Sequence, residues 1–493
     1  MKKYVIALDQ GTTSSRAIAF DKDANIVGSR SEEFKQIYPK PGWVEHDPFD
    51  ILNSQMNALK LLIRDFSIKE DEISAIGITN QRETIVMWNK TTGKPLYNAI
   101  VWQCRRSANI CEQLINDGYK ELIHNKTGLI IDAYFSGTKI KWLLDNVEGA
   151  RELANSGNLS IGTIDTWLIY NLTNKKIHVT DASNASRTMI YNIFENKWDE
   201  ELLDILNIPK NILPTVVESS EIVGNYILNG VAIPISGIAG DQQAALFGQN
   251  CINVGDAKNT YGTGCFILVN LGEKPILSKK GLLTTIAWKY KGKTTYALEG
   301  SIFNAGSSIQ WLRDELKLIN NASESETCAL KVKDTNDVYF VPAFTGLGTP
   351  YWDMYARGTI VGITRGANAN HIIRATLESI AYQSLDVIKC MEDEANTKII
   401  QLKVDGGASA NNFLMQFQSD IAKVNVIRPK IKETTALGAA YFAGLATQFF
   451  KDITSIQNIN DVDKVFVCNM DEYNRKKKVK KWHKAVEKSK NWV

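Results

Sequence analysis

The feature that most constrains this chain is a pattern it carries twice. Residues 4–8 form an apolar run that ends in Asp9-Gln10-Gly11-Thr12-Thr13-Ser14, and a second apolar run follows at 17–20. Half a chain length later, Lys258-Asn259-Thr260-Tyr261 leads into the turn Gly262-Thr263-Gly264 and the apolar run 265–271. Short apolar runs on either side of a glycine turn read as a β-hairpin. Two unrelated hairpins would look the same, so the repeat points to a duplicated fold without requiring one. The 493 residues exceed what a single hydrophobic core supports, which agrees with two domains. A composition shift after Ala244-Ala245-Leu246-Phe247 places the expected boundary near 248–250, giving domains 1–249 and 250–493.

Between these marks, strand and helix patterns alternate. Asp47-Pro48 has the form of an N-cap followed by proline at the first helical position, predicting a helix to about Arg64. Short buried strands are expected at 73–79, 231–238 and 399–404, and amphipathic helices at 371–391 and 410–422. The basic run 475–481 reads as the solvated face of a C-terminal helix. Such alternation predicts an α/β fold.

Composition removes several function classes. Hydrophobic residues make up 44% and charged residues 23%, the profile of an ordinary globular chain. A net charge of +3 gives no electrostatic footprint for nucleic acid, and no apolar stretch reaches membrane-spanning length. The seven cysteines are scattered without a C-x-x-C pair, and the five histidines have no metal-ligand spacing, so neither a disulfide framework nor a zinc site is expected. A reducing cytoplasm is the expected compartment.

Five segments could carry chemistry. The first hairpin places an acid, a turn glycine and three hydroxyls within six residues. Its backbone N–H groups and hydroxyls suit phosphate oxygens, Asp9 suits a hard cation, and Arg16 can offset phosphate charge. A polar hairpin with a capping aspartate is the plainer reading. Gly262-Thr263-Gly264 becomes a facing clamp only beside that first hairpin. Asp405-Gly406-Gly407-Ala408-Ser409-Ala410-Asn411-Asn412 joins a strand to a helix, with glycines that let backbone approach a ligand; it is not a dinucleotide fingerprint. Residues 287–294 come close to a Walker A loop but lack its leading glycine, and they read as a hairpin turn. Thr79-Asn80-Gln81-Arg82-Glu83-Thr84 follows a strand, and a guanidinium beside a carboxylate suits a diol, although a surface ion pair is the commoner fate. Asp241, in Gly240-Asp241-Gln242-Gln243, is either a general base or an N-cap.

Taken together, these segments resemble the FGGY carbohydrate kinases. Two further stretches match that family: Tyr134-Phe135-Ser136-Gly137-Thr138-Lys139-Ile140-Lys141-Trp142-Leu143, and 358–363 continued by 371–378. The resemblance covers Tyr4 to about Ala446 and leaves the C-terminal tail poorly matched. It implies two ribonuclease H-like (actin-like ATPase) α/β domains with the active site in the cleft between them. It implies ATP and Mg²⁺, with phosphates at Thr12, Thr13, Ser14, Arg16 and Thr263, adenosine near Gly306, Gln310, Gly407 and Asn411, and metal at Asp9 and Asp241. Glycerol is the implied polyol, with its hydroxyls at Arg82, Glu83, Tyr134, Asp241 and Gln242, its carbons against Trp102 and Phe266, and Asp241 as general base. A homodimer or homotetramer is implied as well, with no nucleic acid or membrane insertion. Some bacterial members carry a Gly- and Arg-containing loop for fructose 1,6-bisphosphate, and others carry a phosphorylated histidine there; residues 225–232 are shorter and hold neither arginine nor histidine. Two competing readings are a pentulose or hexulose kinase and a non-transferring actin-like nucleotide switch. The former would need a larger pocket near Trp102 and Phe266, and the latter has no use for Arg82-Glu83 together with Asp241.

Overall fold

Strand Tyr4–Gln10 is apolar on both faces because it runs through the interior of a six-stranded sheet. The sheet order is Ser220–Leu228, Val231–Gly240, Ile73–Asn80, Tyr4–Gln10, Ser14–Phe20, Ile26–Glu33. Tyr4–Gln10 pairs antiparallel with Ser14–Phe20 through the predicted hairpin and parallel with Ile73–Asn80, which pairs parallel with Val231–Gly240. The computed structural model describes residues 1–457, 459 and 462–493.

The second hairpin opens a seven-stranded sheet built on the same plan. Its order is Leu283–Tyr290, Lys293–Ile302, Cys265–Gly272, Ala257–Tyr261, Gln401–Asp405, Asn425–Pro429, Val462–Phe466. Ala257–Tyr261 is antiparallel to Cys265–Gly272 and parallel to Gln401–Asp405. The Walker-like stretch is a hairpin turn, as its flanking apolar runs predict. Lys291 and Gly292 take positive φ there, and their N–H groups donate to the Glu218 carboxylate at 2.7 Å each.

The predicted helices form with small shifts at their ends. Pro48–Asp65 starts at the Asp47 cap, whose side chain accepts from the Phe49 N–H. The long helix is Ala369–Ala395, and a 3₁₀ turn at Gly407–Ala410 precedes helix Asn412–Ala422. The basic C-terminal helix Glu472–Ser489 buries Val479, Trp482, Ala485 and Val486, so its lysines mostly line an outer face.

Helix Thr434–Ala446 ties the halves together. It lies late in the chain, yet it packs on strands Ile73–Asn80 and Val231–Gly240 of the first sheet and on helix Asp241–Gly248. Glycines permit this approach: a Cβ on Gly77 would overlap the Ala439 carbonyl, one on Gly438 the Ala244 carbonyl, and one on Gly248 the Thr434 carbonyl. This seam fixes how the two sheets meet.

Candidate active site

Three parallel strands of the first sheet end side by side, and their carboxyl ends carry the polar residues. Gln10, Asn80 and Gly240 are in register, so the Thr12 hairpin, the Gln81-Arg82-Glu83 turn and Asp241 leave the sheet from one edge. Ligand groups in α/β proteins gather at such ends. The second sheet does likewise, with Thr260 in register with Asp405. Its Gly262-Thr263-Gly264 turn and Gly406-Gly407 therefore share an edge.

Arg82 and Glu83 are not a surface ion pair; both are at most 3% exposed. Arg82 Nη1 donates to Glu299 Oε2 at 2.6 Å and Gln243 Oε1 at 3.2 Å. Its Nη2 donates to Glu299 Oε1 at 3.1 Å and the Tyr134 hydroxyl at 3.3 Å. Nε lies 3.0 Å from Asp241 Oδ1. Glu83, held at a positive φ of 61°, accepts from Arg187 Nε at 2.6 Å, and Arg187 Nη2 donates to Glu299 Oε1 at 3.0 Å. Burial opposes the charge on Glu299, but Arg187 and Arg82 outweigh that and hold its pKa at about 2. Tyr134 is pushed well above the ordinary phenol value by burial and the nearby Glu83, so its hydroxyl keeps its proton.

Asp241 is the first residue of helix Asp241–Gly248, and the capping position belongs to Gly240. Its side chain is 33% exposed, and its Oδ1 accepts from the Gln242 N–H at 2.7 Å. Gln242 Oε1 accepts from Lys258 Nζ, which also donates to the Thr260 hydroxyl at 2.8 Å. Lys258 is fully buried with no ion-pair carboxylate among the described residues, and desolvation lowers its pKa to about 8. Asp9, partly buried, is raised to about 7 by desolvation, against the pull of Arg16 and with added pressure from Glu433 and Asp241.

The two expected apolar residues lie in different surroundings. Trp102 meets Tyr134 edge-on at 5.6 Å, and its indole N–H donates to the Thr12 hydroxyl at 3.0 Å. Phe266, half-buried, packs against the cluster around helix Asp241–Gly248. On the hairpins, Thr13 and Thr263 are exposed, whereas Arg16 is paired with Glu433 at 2.7 Å.

The adenosine candidates form a second group. Gly306 starts helix Gly306–Asp314 and donates its N–H to the Gly262 carbonyl at 3.0 Å, where a Cβ would lie 2.5 Å from that oxygen. Gln310 is exposed on the same helix, and a Cβ on Gly407 would project into open space. Asn411 caps helix Asn412–Ala422, accepting from the Leu414 N–H at 2.9 Å. Nothing in the sequence marks Glu299, Arg187 or Lys258 as site residues. Glu299 and Arg187 are lone charges in apolar or small-residue runs, which is the one signal the sequence offers for them.

Two sheets of one topology, joined by a glycine-packed helix and carrying polar hairpins at strand ends, define the actin-like ATPase class of two-domain α/β proteins. The FGGY family of carbohydrate kinases matches through its N-terminal domain at residues 4–248 and its C-terminal domain at 257–447, and the chain belongs to that family. The chain is 63% identical over 495 residues to a glycerol kinase of Caldanaerobacter subterraneus subsp. tengcongensis, covering 100% of each. It is 60% identical over 492 residues to glycerol kinase 2 of Thermotoga maritima, covering 99% of each. A crystal structure of Plasmodium falciparum glycerol kinase with ADP has a TM-score of 0.93 at 39% identity, covering 99% of this chain and 98% of that one.

Proposed function

We propose that this protein transfers the terminal phosphoryl group of ATP to a primary hydroxyl of glycerol, giving glycerol 3-phosphate and ADP. The observation that carries the reading is the convergence of buried Arg82 and Glu83 with the more exposed Asp241 at one sheet edge. Full-length relatives named glycerol kinase at 60–63% identity support it.

Arg82 and Glu83 supply a donor fork and an acceptor for adjacent hydroxyls, which each donate and accept. Tyr134 and Gln242 add polar contacts, while Trp102 and Phe266 cover the carbon chain. Asp241 takes the proton of the attacking hydroxyl as its oxygen bonds to phosphorus and the bond to the ADP oxygen breaks. Thr12, Thr13, Ser14 and Thr263 grip the phosphates. Arg16 joins them by leaving Glu433, whose carboxylate is its present partner. Gly306, Gln310, Gly407 and Asn411 receive the nucleoside, and the bare Gly407 leaves room for it. Residues 1–249 thus supply the polyol contacts apart from Phe266 together with one phosphate hairpin, and 250–493 supply the adenosine contacts and the second phosphate hairpin.

The donor set also fits a hard cation. Asp9 and Asp241 are carboxylates close enough to influence each other, and Thr79, in register with Asp9, has a buried hydroxyl with no hydrogen-bond partner among the described residues. No group of three or more His, Cys, Asp or Glu suited to a metal occurs among the described residues, so the ion would be held by one or two carboxylates together with phosphate, the pattern typical of Mg²⁺. Bound there, Mg²⁺ would neutralise charge on the phosphates.

A coupled assay of ADP release with glycerol, dihydroxyacetone, xylulose and ribulose tests the reading. Glycerol should be preferred by at least about tenfold in kcat/KM, roughly 1.4 kcal/mol. Preference for a ketopentose would assign the pocket to a larger sugar. Equal ADP release with no acceptor would mark a nucleotide switch.

A further inference from the structure

We infer that Glu299, contributed by the later half of the chain, is a positioning residue for the polyol. It fixes the guanidinium plane of Arg82 directly and the carboxylate of Glu83 through Arg187. The inference rests on the reading that Arg82 and Glu83 hold the polyol.

The contacts form an unbroken chain, Arg82–Glu299–Arg187–Glu83, with ion-pair distances of 2.6, 3.0 and 2.6 Å. All four side chains are nearly or fully buried. Three come from the first half and one from strand Lys293–Ile302 of the second sheet. That strand is paired on both sides, with Glu299 opposite Leu268 on one neighbour and Leu283 on the other, so the carboxylate stands on a rigid element. A buried ionic cluster is a poor way to gain stability, because removing its charges from water costs as much as their attraction returns. Bidentate geometry, by contrast, orients an arginine.

The donor inventory shows what that orientation achieves. Glu299 takes one N–H from each terminal nitrogen of Arg82, at 2.6 and 3.1 Å. The other two go to Gln243 and the Tyr134 hydroxyl at 3.2 and 3.3 Å, the longest of the four bonds and the ones a hydroxyl can displace. With Glu299 in place, Arg82 exchanges Tyr134 for substrate without rotating. Without it, two guanidiniums face the single buried carboxylate of Glu83. Arg82 is then drawn to Asp241, already 3.0 Å from Nε, and occupies the oxygen that must take the proton.

The test measures glycerol and MgADP binding separately by calorimetry on the full chain, alongside kcat. Glu299→Gln should weaken glycerol at least tenfold and lower kcat, while MgADP affinity stays within twofold. Glu299→Asp, which keeps the charge but is one methylene short, should fall between. Arg187→Lys keeps a cation but cannot bridge Glu83 and Glu299, and it should also weaken glycerol; it decides the matter if Glu299→Gln does not fold. Glycerol affinity within twofold of wild type in these variants overturns the inference. Parallel loss of glycerol and MgADP binding overturns it too, because that marks general loss of packing. A wild-type protein that binds no glycerol would instead sink the polyol reading itself.

Discussion

Asp241 does not hold the capping position, which is Gly240's, although its Oδ1 accepts one N–H of the helix's first turn, that of Gln242. Its links are to the Gln242 N–H and Arg82, and a third of it remains open to solvent. Asp241→Asn keeps the size and the hydrogen bond but cannot take a proton. Turnover should fall about 10²–10⁴-fold, or roughly 3–5 kcal/mol, with near-normal ATP binding and thermal midpoint. Near-wild-type turnover in the folded variant would remove Asp241 from the chemistry. Asp9 allows a pH test. Its folded pKa of about 7 lies above the ordinary carboxylate value, so the folded state prefers the protonated form. Stability from this group is therefore full below about pH 4 and is lost as pH rises through about 7. Asp9→Asn should be more stable than wild type at pH 8, by about 1–2 kcal/mol after allowing for partial exposure and seen as a higher melting midpoint, and match it near pH 4. The wild-type KM for MgATP should fall from pH 6 to 8, while the variant's stays high and flat. An unchanged midpoint at pH 8 would mean Asp9 is ionised freely. At this scale the sequence pointed to Asp9, Arg82, Glu83 and Asp241 because each lies at or just beyond the end of an apolar strand. It hid Glu299 because nothing local shows that a strand glutamate meets an arginine 217 residues away.

At the scale of elements, glycine turns and apolar runs made both hairpins and the parallel strands legible, since the side-chain period and turn chemistry are local. Helix Thr434–Ala446 was not legible as the joint. Nearly all its residues are apolar or small and buried, so no stripe announces which surfaces it meets. Its fit rests on absent Cβ atoms, and Gly438→Ala tests that directly. The added methyl meets the backbone carbonyl of Ala244, which cannot swing aside as a side chain would. Overpacking of this kind typically costs about 1–3 kcal/mol, and Ala's better helix propensity returns only about 1 of it. The variant should melt lower than wild type and also lose turnover, because helix Asp241–Gly248 carries the proposed base. An unchanged melting temperature would show that the seam tolerates a methyl and is looser than drawn.

For the whole molecule, the two halves are consecutive in sequence but interlocked in space. The later half covers the first sheet with helix Thr434–Ala446 and reaches the Arg82–Glu83 cluster with Glu299; the earlier half answers with Gln249 on Asp405 and Arg16 on Glu433. Ser186 and Thr285 share a further buried bond at 2.8 Å. Residues 1–249 alone would therefore expose the apolar face that the helix covers, including Ala75, Ala239 and Phe247. They would also leave buried Arg82 and Arg187 with only Glu83 and the partly exposed Asp241 in place of Glu299, and an under-paired buried charge is strongly destabilising. Exposed apolar area costs about 25 cal/mol per Å², so losing a few hundred Å² of cover removes several kcal/mol, comparable to the net stability of a domain. The expected outcome is that the 1–249 fragment shows no cooperative urea transition, while the full chain gives coincident unfolding curves by tryptophan fluorescence and far-UV circular dichroism. A fragment that unfolds cooperatively by itself, or two separated transitions in the full chain, would show that each half carries its own stability and that the seam merely docks them.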